Sequence, residues 1–240
     1  MVKKRLDVLL VERGLAESRS QAQALVLAGR VKGFSKAGDQ VEEGAELEVR
    51  AGPRFVSRGG EKLAHALVTF EIDVTGQDCL DIGASTGGFT DCLLQAGARR
   101  IVALDVGYGQ LHPKLRADPR VTVLERVNVR NLRCDELPFG PSFLTCDVSF
   151  IGLAKALPPA LACAAPGWRA VVLVKPQFEA GPADVGKGGV VRDPDVRRRV
   201  LDDIAERVPG WGGRALGVAE SPLRGPKGNR ELLLYLAAAA

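Results

Sequence analysis

The fold is decided by the stretch Asp81-Ile82-Gly83-Ala84-Ser85-Thr86-Gly87-Gly88-Phe89. It follows a short apolar run at residues 79–82 and leads into a helical pattern at residues 88–95, so it predicts a glycine-rich turn between a buried strand and a helix. In α/β folds such turns lie at the carboxyl edge of the sheet, where ligands bind. The stretch therefore predicts both the fold class and the position of its ligand site.

Strand and helix patterns alternate on both sides of this turn. Strands are predicted at residues 79–82, 100–105, 121–125, 143–147 and 170–175, and helices at residues 58–70, 88–95, 150–161 and 193–207. Such alternation is typical of a mostly parallel sheet covered by helices on both faces. Two further strands, at residues 215–219 and 231–236, have no helix between them and predict an antiparallel hairpin that closes the sheet. The predicted class is α/β of the Rossmann type.

The turn favours a nucleoside cofactor without a pyrophosphate. The dinucleotide fingerprint G-x-G-x-x-G and the P-loop lysine are both absent from it. S-adenosylmethionine fits better, because Asp81 can hold its ammonium group and Asp105, at the end of the next strand, can accept its ribose hydroxyls. The alternative is that the turn only packs a helix against a strand.

Four charged residues are expected beside this cofactor. Lys62 precedes the first strand of the sheet, Asp147 and Lys175 end two others, and Glu231 begins the last. A ribose hydroxyl is a weak nucleophile, so it gains from a lysine that takes or directs its proton. The two carboxylates can hold the two ammonium groups, and this chemistry needs no metal ion. Ordinary ion pairs at strand ends are the alternative interpretation.

The N-terminal segment carries most of the positive charge. The whole chain of 240 residues has a net charge of only +4, whereas residues 1–36 contain eight Lys or Arg against three acids. Two helices are predicted there, the second beginning with the capping pattern of Ser18 and Gln21. The predicted organisation is a small α+β domain at residues 1–52 that faces phosphates, a linker at 53–57 and the α/β domain at 58–240.

The remaining composition indicates a soluble cytoplasmic protein. No run approaches the roughly 18 apolar residues of a membrane span, and the basic N-terminus lacks the apolar run of a signal peptide. The five cysteines form no C-x-x-C pair, so buried thiols in a reducing compartment are the simplest account.

Six motifs follow one another along the chain. They are Val56-Ser57-Arg58-Gly59-Gly60-Glu61-Lys62-Leu63, the turn from Asp81 to Thr90, Asp105-Val106-Gly107-Tyr108-Gly109-Gln110-Leu111, Asp147-Val148-Ser149-Phe150-Ile151, Leu173-Val174-Lys175-Pro176-Gln177-Phe178-Glu179, and Ser221-Pro222 through Gly228-Asn229-Arg230-Glu231. Together they resemble the motifs of the TlyA family, which comprises ribosomal RNA 2′-O-methyltransferases related to FtsJ, often labelled hemolysin A.

The resemblance implies roles for individual residues. The Lys-Asp-Lys-Glu tetrad of the family falls on Lys62, Asp147, Lys175 and Glu231, and the implied substrate is cytidine in ribosomal RNA. The implied contacts to S-adenosylmethionine fall on Gly83, Ser85, Thr86, Gly87, Phe89 and Asp105.

The N-terminal unit resembles the S-four-like RNA-binding domain. Its implied phosphate contacts are Arg5, Arg19 and Arg30, which set the orientation of the RNA and not its sequence. The turn after Val31 is contracted to residues 32–36 compared with the usual hairpin of that domain. A solvated helix face is the alternative role of these arginines.

Three other functions compete with this interpretation. A membrane-active haemolysin needs an amphipathic or spanning segment, and none is visible. A non-catalytic RNA-binding or ribosome-assembly protein is disfavoured because all four tetrad positions are filled. A nicotinamide enzyme is disfavoured by the turn. The expected partners are ribosomal RNA or ribosomal subunits.

Overall fold

The computed structural model describes residues 2–239, which form two compact units. The chain divides between Pro53 and Arg54. Residues 54–57, expected in the linker, belong to the larger unit, and Phe55 is buried in its core. The two units are described separately below.

The smaller unit combines two short strands with two helices. Its elements are β1 (Lys3–Arg5), α1 (Leu6–Glu12), α2 (Arg19–Leu27) and β2 (Gln40–Glu42). Strands β1 and β2 pair antiparallel, and Val31 forms an isolated bridge with Val49. The predicted cap of α2 is confirmed, because the Ser18 hydroxyl accepts a hydrogen bond from the Gln21 N–H at 3.2 Å. The core is made by the apolar faces of α1 and α2.

The larger unit has a seven-stranded sheet and six α-helices among residues 54–239. These elements are α3 (Gly59–Thr69), β3 (Asp78–Ile82), α4 (Gly88–Gln95), β4 (Arg100–Asp105), α5 (Pro113–Arg116), β5 (Val121–Glu125), β6 (Phe143–Cys146), α6 (Leu153–Ala162), β7 (Arg169–Val174), α7 (Pro176–Glu179), α8 (Pro194–Arg207), β8 (Gly213–Glu220) and β9 (Leu232–Ala238).

The sheet order is β5-β4-β3-β6-β7-β9-β8. Strands β3 to β7 pair parallel, and β9 lies antiparallel between β7 and β8. The predicted parallel sheet and its closing hairpin are both confirmed. The chain leaves β3 towards β4 on one side and returns to β6 on the other, which opens a crevice at the carboxyl end of β3.

Helices cover both faces of the sheet, as the strand–helix alternation predicted. Side chains of β3 alternate between two apolar clusters, so that Leu80 packs with α6 and α8 while Cys79 packs with α3 and α4. Within residues 2–239, no helix combines the length and the apolar character needed to cross a membrane.

Two cysteines are joined by a disulfide bond, which corrects the prediction of five thiols. Cys134 and Cys163 have Cα atoms 5.0 Å apart and are separated by 29 residues in the chain. The fold brings the one-turn helix at residues 134–136 beside the end of α6, a proximity that sequence spacing does not reveal. Cys79, Cys92 and Cys146 are free and buried, as expected.

Candidate active site

The glycine-rich turn between β3 and α4 has a backbone that requires glycine. Gly83 has φ +81°, and a Cβ at this position would lie 2.6 Å from the Asp147 carbonyl oxygen. Gly87, the N-cap of α4, has φ +96°. Both values lie in the left-handed region that side chains disfavour. The turn is therefore built for close approach, in agreement with its predicted position at the sheet edge.

Asp105 at the end of β4 fixes the shape of this turn. Its carboxylate accepts hydrogen bonds from the Ser85 N–H at 2.8 Å and from the Gly107 N–H at 2.6 Å. Each carboxylate oxygen has a second lone pair, so the group can still accept from a ligand. The Ser85 hydroxyl donates to the side chain of Gln110 at 3.3 Å.

A cavity of about 710 Å³ opens above the turn, at the carboxyl ends of β3, β4 and β6. Three of the predicted cofactor residues line it, namely Gly83, Ser85 and Asp105. Its volume lies within the range of sites that take drug-sized or cofactor-sized ligands. A nucleoside fits this cavity, because the Asp105 carboxylate can accept hydrogen bonds from ribose hydroxyls and Gly83 has no side chain to block the ligand.

A second cavity, of about 300 Å³, adjoins the first across Gly83, Ser85, Asp147 and Ser149. All four members of the predicted tetrad line it, together with Thr86 and Phe89 of the predicted cofactor set. The four charged side chains come from helix α3, from the residues that follow β6 and β7, and from the residue before β9. The structure therefore brings together the charges that were expected to gather at the sheet edge.

The tetrad forms two ion pairs. The Lys62 ammonium lies 2.5 Å from Glu231, and the Lys175 ammonium lies 2.5 Å from Asp147. Lys175 also donates to the Ser149 hydroxyl at 2.9 Å. Lys62 and Glu231 are buried, whereas the Asp147 side chain is 22% exposed. One pair is thus held in the wall of the cavity, and the other borders its opening.

Asp81 and Gly87 occupy different positions from the other predicted cofactor residues, because they line neither cavity. The Asp81 carboxylate is fully buried and accepts hydrogen bonds from the hydroxyls of Thr90 at 2.6 Å and Thr145 at 2.8 Å. Burial raises the pKa of this carboxyl to about 6, and the nearby Asp147 charge acts in the same direction. The Asp81 side chain therefore packs in the interior beneath the glycine-rich turn and does not face either cavity.

The three arginines of the smaller unit have different surroundings. Arg5 and Arg19 both donate to the buried carboxylate of Asp7, at 3.0 and 3.1 Å. These guanidinium groups hold the pKa of Asp7 well below its usual range. Arg30 donates instead to the Arg50 carbonyl at 2.9 Å.

Ser149, Arg58 and Arg224 line the second cavity but were not predicted as site residues. Ser149 lies two residues after Asp147, but only the fold shows that it touches Lys175. Arg58 lies in the first of the six motifs and Arg224 lies within the span of the last, which was a usable signal for both.

Comparisons with known proteins agree with this geometry. Residues 55–238 match the family model of FtsJ-like methyltransferases, and residues 4–32 match that of the S4 domain. A 16S/23S rRNA (cytidine-2′-O)-methyltransferase TlyA from Mycobacterium tuberculosis is 48% identical, over 97% of this chain and 89% of the relative. Hemolysin A from Brachyspira hyodysenteriae is 42% identical, over 96% of this chain and 98% of the relative.

A solved structure gives the same result. The "Putative hemolysin from Streptococcus thermophilus" is 41% identical, with a TM-score of 0.77, and the match covers 100% of this chain and 90% of that one. The match to the FtsJ-like family model covers residues 55–238 of the larger unit, which include the glycine-rich turn and the crevice at the sheet edge. This chain therefore belongs to the FtsJ-like methyltransferase family and carries an S4 domain at its N-terminal end.

Proposed function

We propose that this enzyme transfers a methyl group to the 2′-hydroxyl of a cytidine ribose in ribosomal RNA. The observation that carries the proposal is the Lys62, Asp147, Lys175 and Glu231 cluster, which lines one cavity beside the glycine-rich turn. The similarity to TlyA of Mycobacterium tuberculosis supports the choice of ribose and of cytidine. Ribosomal RNA as substrate implies that the chain acts in the cytoplasm.

The cofactor of this reaction is S-adenosylmethionine, which the larger cavity would hold. Asp105 would accept hydrogen bonds from its ribose hydroxyls, while Gly83 and Ser85 would let the backbone approach it. When bound, the cofactor supplies an electrophilic methyl group on its sulfonium. Thr86 and Phe89 line the adjoining cavity, where the cofactor and the RNA would meet. Asp81 and Gly87 act indirectly, by shaping the turn.

The tetrad orients the RNA and accepts the proton that its 2′-hydroxyl loses. Lys175 orients the 2′-hydroxyl by donating a hydrogen bond to its oxygen, and the carboxylate of Asp147, which is paired with Lys175, receives the proton that the hydroxyl loses. The buried Lys62–Glu231 pair keeps the cavity wall charged and polar without leaving an unpaired ion. Alignment of the reacting oxygen is the main contribution of these groups, since correct placement removes much of an entropic barrier.

The two units have different roles in this proposal. Residues 58–240 carry out methyl transfer, and residues 1–52 contact RNA phosphates through Arg5, Arg19 and Arg30. The Asp7 carboxylate holds two of these guanidinium groups side by side, which supports a shared phosphate-facing surface. Intact ribosomal subunits are the proposed form of the substrate.

The proposal is tested by methyl transfer from isotopically labelled cofactor to purified ribosomal subunits. The modified nucleotide is then mapped, and the methyl group is assigned to ribose or base by mass spectrometry. We expect Lys175→Ala to abolish transfer while S-adenosylhomocysteine still binds. Lys114→Ala removes an exposed ammonium that lines neither cavity, so it serves as the matched control and keeps full activity.

Three results would contradict parts of this proposal. A methyl group on the base would exclude 2′-O transfer. Normal turnover by Lys175→Ala would remove Lys175 from the mechanism. No transfer by the wild-type chain to either subunit would favour a purely binding or assembly role.

A further inference from the structure

The charges that line the second cavity do not balance. The two lysines of the tetrad are each paired with a carboxylate, as described above. Arg58 and Arg224 also line the cavity, and among residues 2–239 neither forms an ion pair. Two exposed guanidinium groups therefore remain uncompensated at the opening of the site.

A hydrogen bond connects the two arginines. Arg58, the N-cap of α3, donates from its guanidinium to the Arg224 carbonyl oxygen at 2.9 Å. This contact places the start of α3 against the loop between β8 and β9, although the two residues lie 166 positions apart. The two cations are therefore brought to one edge of the cavity by the fold.

The loop that carries Arg224 is anchored at several points. The Asn229 side chain is buried, donates to the Gly189 carbonyl and accepts from the Val191 N–H, each at 2.9 Å. A Cβ at Gly225 would lie 2.7 Å from a Glu231 carboxylate oxygen, so this turn packs directly against the tetrad. Arg224 is consequently held beside the reacting groups by a fixed backbone.

We propose that Arg58 and Arg224 form a subsite for an RNA phosphodiester next to the ribose being modified. The inference rests on the proposed function, because in RNA a phosphate is attached to the 3′ oxygen, one carbon from the 2′-hydroxyl. A cavity that receives this hydroxyl must also accommodate that phosphate. The forked donors of arginine match phosphate oxygens in pairs, and the tetrad offers no free cation for this purpose.

The test measures binding of the full-length chain to a fluorescein-labelled cytidine oligoribonucleotide by anisotropy, over a range of salt concentrations. Arg58→Gln and Arg224→Gln are each expected to weaken binding and to lower the slope of log Kd against log salt by about 0.7, the value for one phosphate contact on a single strand. The matched control is Arg214→Gln, which removes the same charge from an exposed position of β8 outside both cavities.

A second probe identifies the ligand group. An oligoribonucleotide in which uncharged methylphosphonates replace the phosphodiesters should bind wild type and Arg224→Gln with equal affinity. Affinity for S-adenosylhomocysteine should stay unchanged in both cavity variants, which shows that the fold is intact. No step of this assay requires methyl transfer.

The outcomes separate this proposal from the proposed function. Unchanged slopes in both cavity variants, or an equal decrease in Arg214→Gln, would overturn the subsite even if the wild-type chain methylates ribosomal RNA. Reduced slopes together with no methyl transfer by wild type would retain the phosphate subsite and reject the enzymatic assignment.

Discussion

At the scale of single residues, the carboxyl of Asp81 is a source of pH-dependent stability. Its two oxygens accept hydrogen bonds from the hydroxyls of Thr90 and Thr145, and burial raises its pKa to about 6. In the unfolded chain the carboxyl of an aspartate has a pKa of about 3.9. The folded chain therefore binds more protons than the unfolded chain between about pH 4 and pH 6, so this group lowers stability as the pH rises through that window.

Asp81→Asn should remove this dependence. Relative to wild type, the free energy of unfolding of the variant is expected to rise by up to about 3 kcal/mol between pH 4 and pH 7, since one pKa unit corresponds to about 1.4 kcal/mol. Urea unfolding at both pH values measures the change. A parallel series with Asp202→Asn, at an exposed position of α8, corrects for the loss of one acidic residue. If the free energies of unfolding of variant and wild type differed by the same amount at pH 4 and at pH 7, the prediction would be wrong.

Gly83→Ala should damage both the turn and cofactor binding. The new Cβ would meet the Asp147 carbonyl at 2.6 Å, in a residue with φ +81°. We expect a loss of stability of about 1–3 kcal/mol from the backbone conformation and a further loss of S-adenosylhomocysteine affinity from displacement of Asp147. Isothermal titration calorimetry and urea unfolding measure the two effects.

The matched control for this glycine is Gly76→Ala. Gly76 has φ +71°, and a Cβ there would meet no atom within 4 Å. This variant should therefore lose stability but keep its affinity for the cofactor analogue. Equal losses of affinity in both variants would mean that the close contact with Asp147 is unimportant.

The sequence predicted the tetrad because all four residues lie at or near ends of predicted elements. In a parallel sheet those ends meet at one edge, so Asp147 and Lys175 were expected to be close. Ser149 and Arg224 were not predicted, since their contacts depend on side-chain packing and loop conformation. Asp81 was expected to contact the cofactor, but its carboxylate is fully buried and lines neither cavity, a placement that sequence spacing does not reveal.

At the scale of elements, central strands were easier to predict than turns and short strands. The bounds of β4 and β5 match the prediction, because β-branched apolar runs set them apart from their surroundings. Helix α6 begins at Leu153 and not at Phe150, since Phe150 has φ +66° and Gly152 is the N-cap. The three-residue strand β1 was missed because its partner β2 lies far along the chain.

The disulfide between Cys134 and Cys163 ties the end of α6 to the one-turn helix at residues 134–136. It closes a loop between cysteines that are 29 positions apart, for which the loss of unfolded-state entropy corresponds to about 3–4 kcal/mol. Reduction by dithiothreitol should therefore lower the urea midpoint of the oxidised chain. Cys134→Ser is the control, because its midpoint should be low with or without the reductant. An identical midpoint for oxidised and reduced wild type would contradict the prediction.

At the scale of the whole molecule, the chain forms two units with separate hydrophobic cores. Two domains were predicted from the concentration of basic residues before Lys36 and from the change to strand–helix alternation after it. The predicted limits of 1–52, 53–57 and 58–240 stay a prediction, although the observed division falls between Pro53 and Arg54. A short linker with buried residues such as Phe55 is hard to recognise, because burial is decided by the fold.

This organisation predicts that RNA affinity and cofactor affinity respond to different substitutions. Arg30 is not in an ion pair within residues 2–239, and Arg19 shares Asp7 with Arg5, so neither removal leaves Asp7 without a cation. Arg19→Gln and Arg30→Gln should each weaken binding to ribosomal RNA and lower its salt dependence, since phosphate contacts account for both effects. S-adenosylhomocysteine affinity, measured by calorimetry, should be unchanged because residues of the larger unit alone line its cavity. Arg99→Gln, in the larger unit and outside both cavities, serves as the charge-matched control. If the cofactor affinity fell with the RNA affinity, the separation of the two tasks between the units would be wrong.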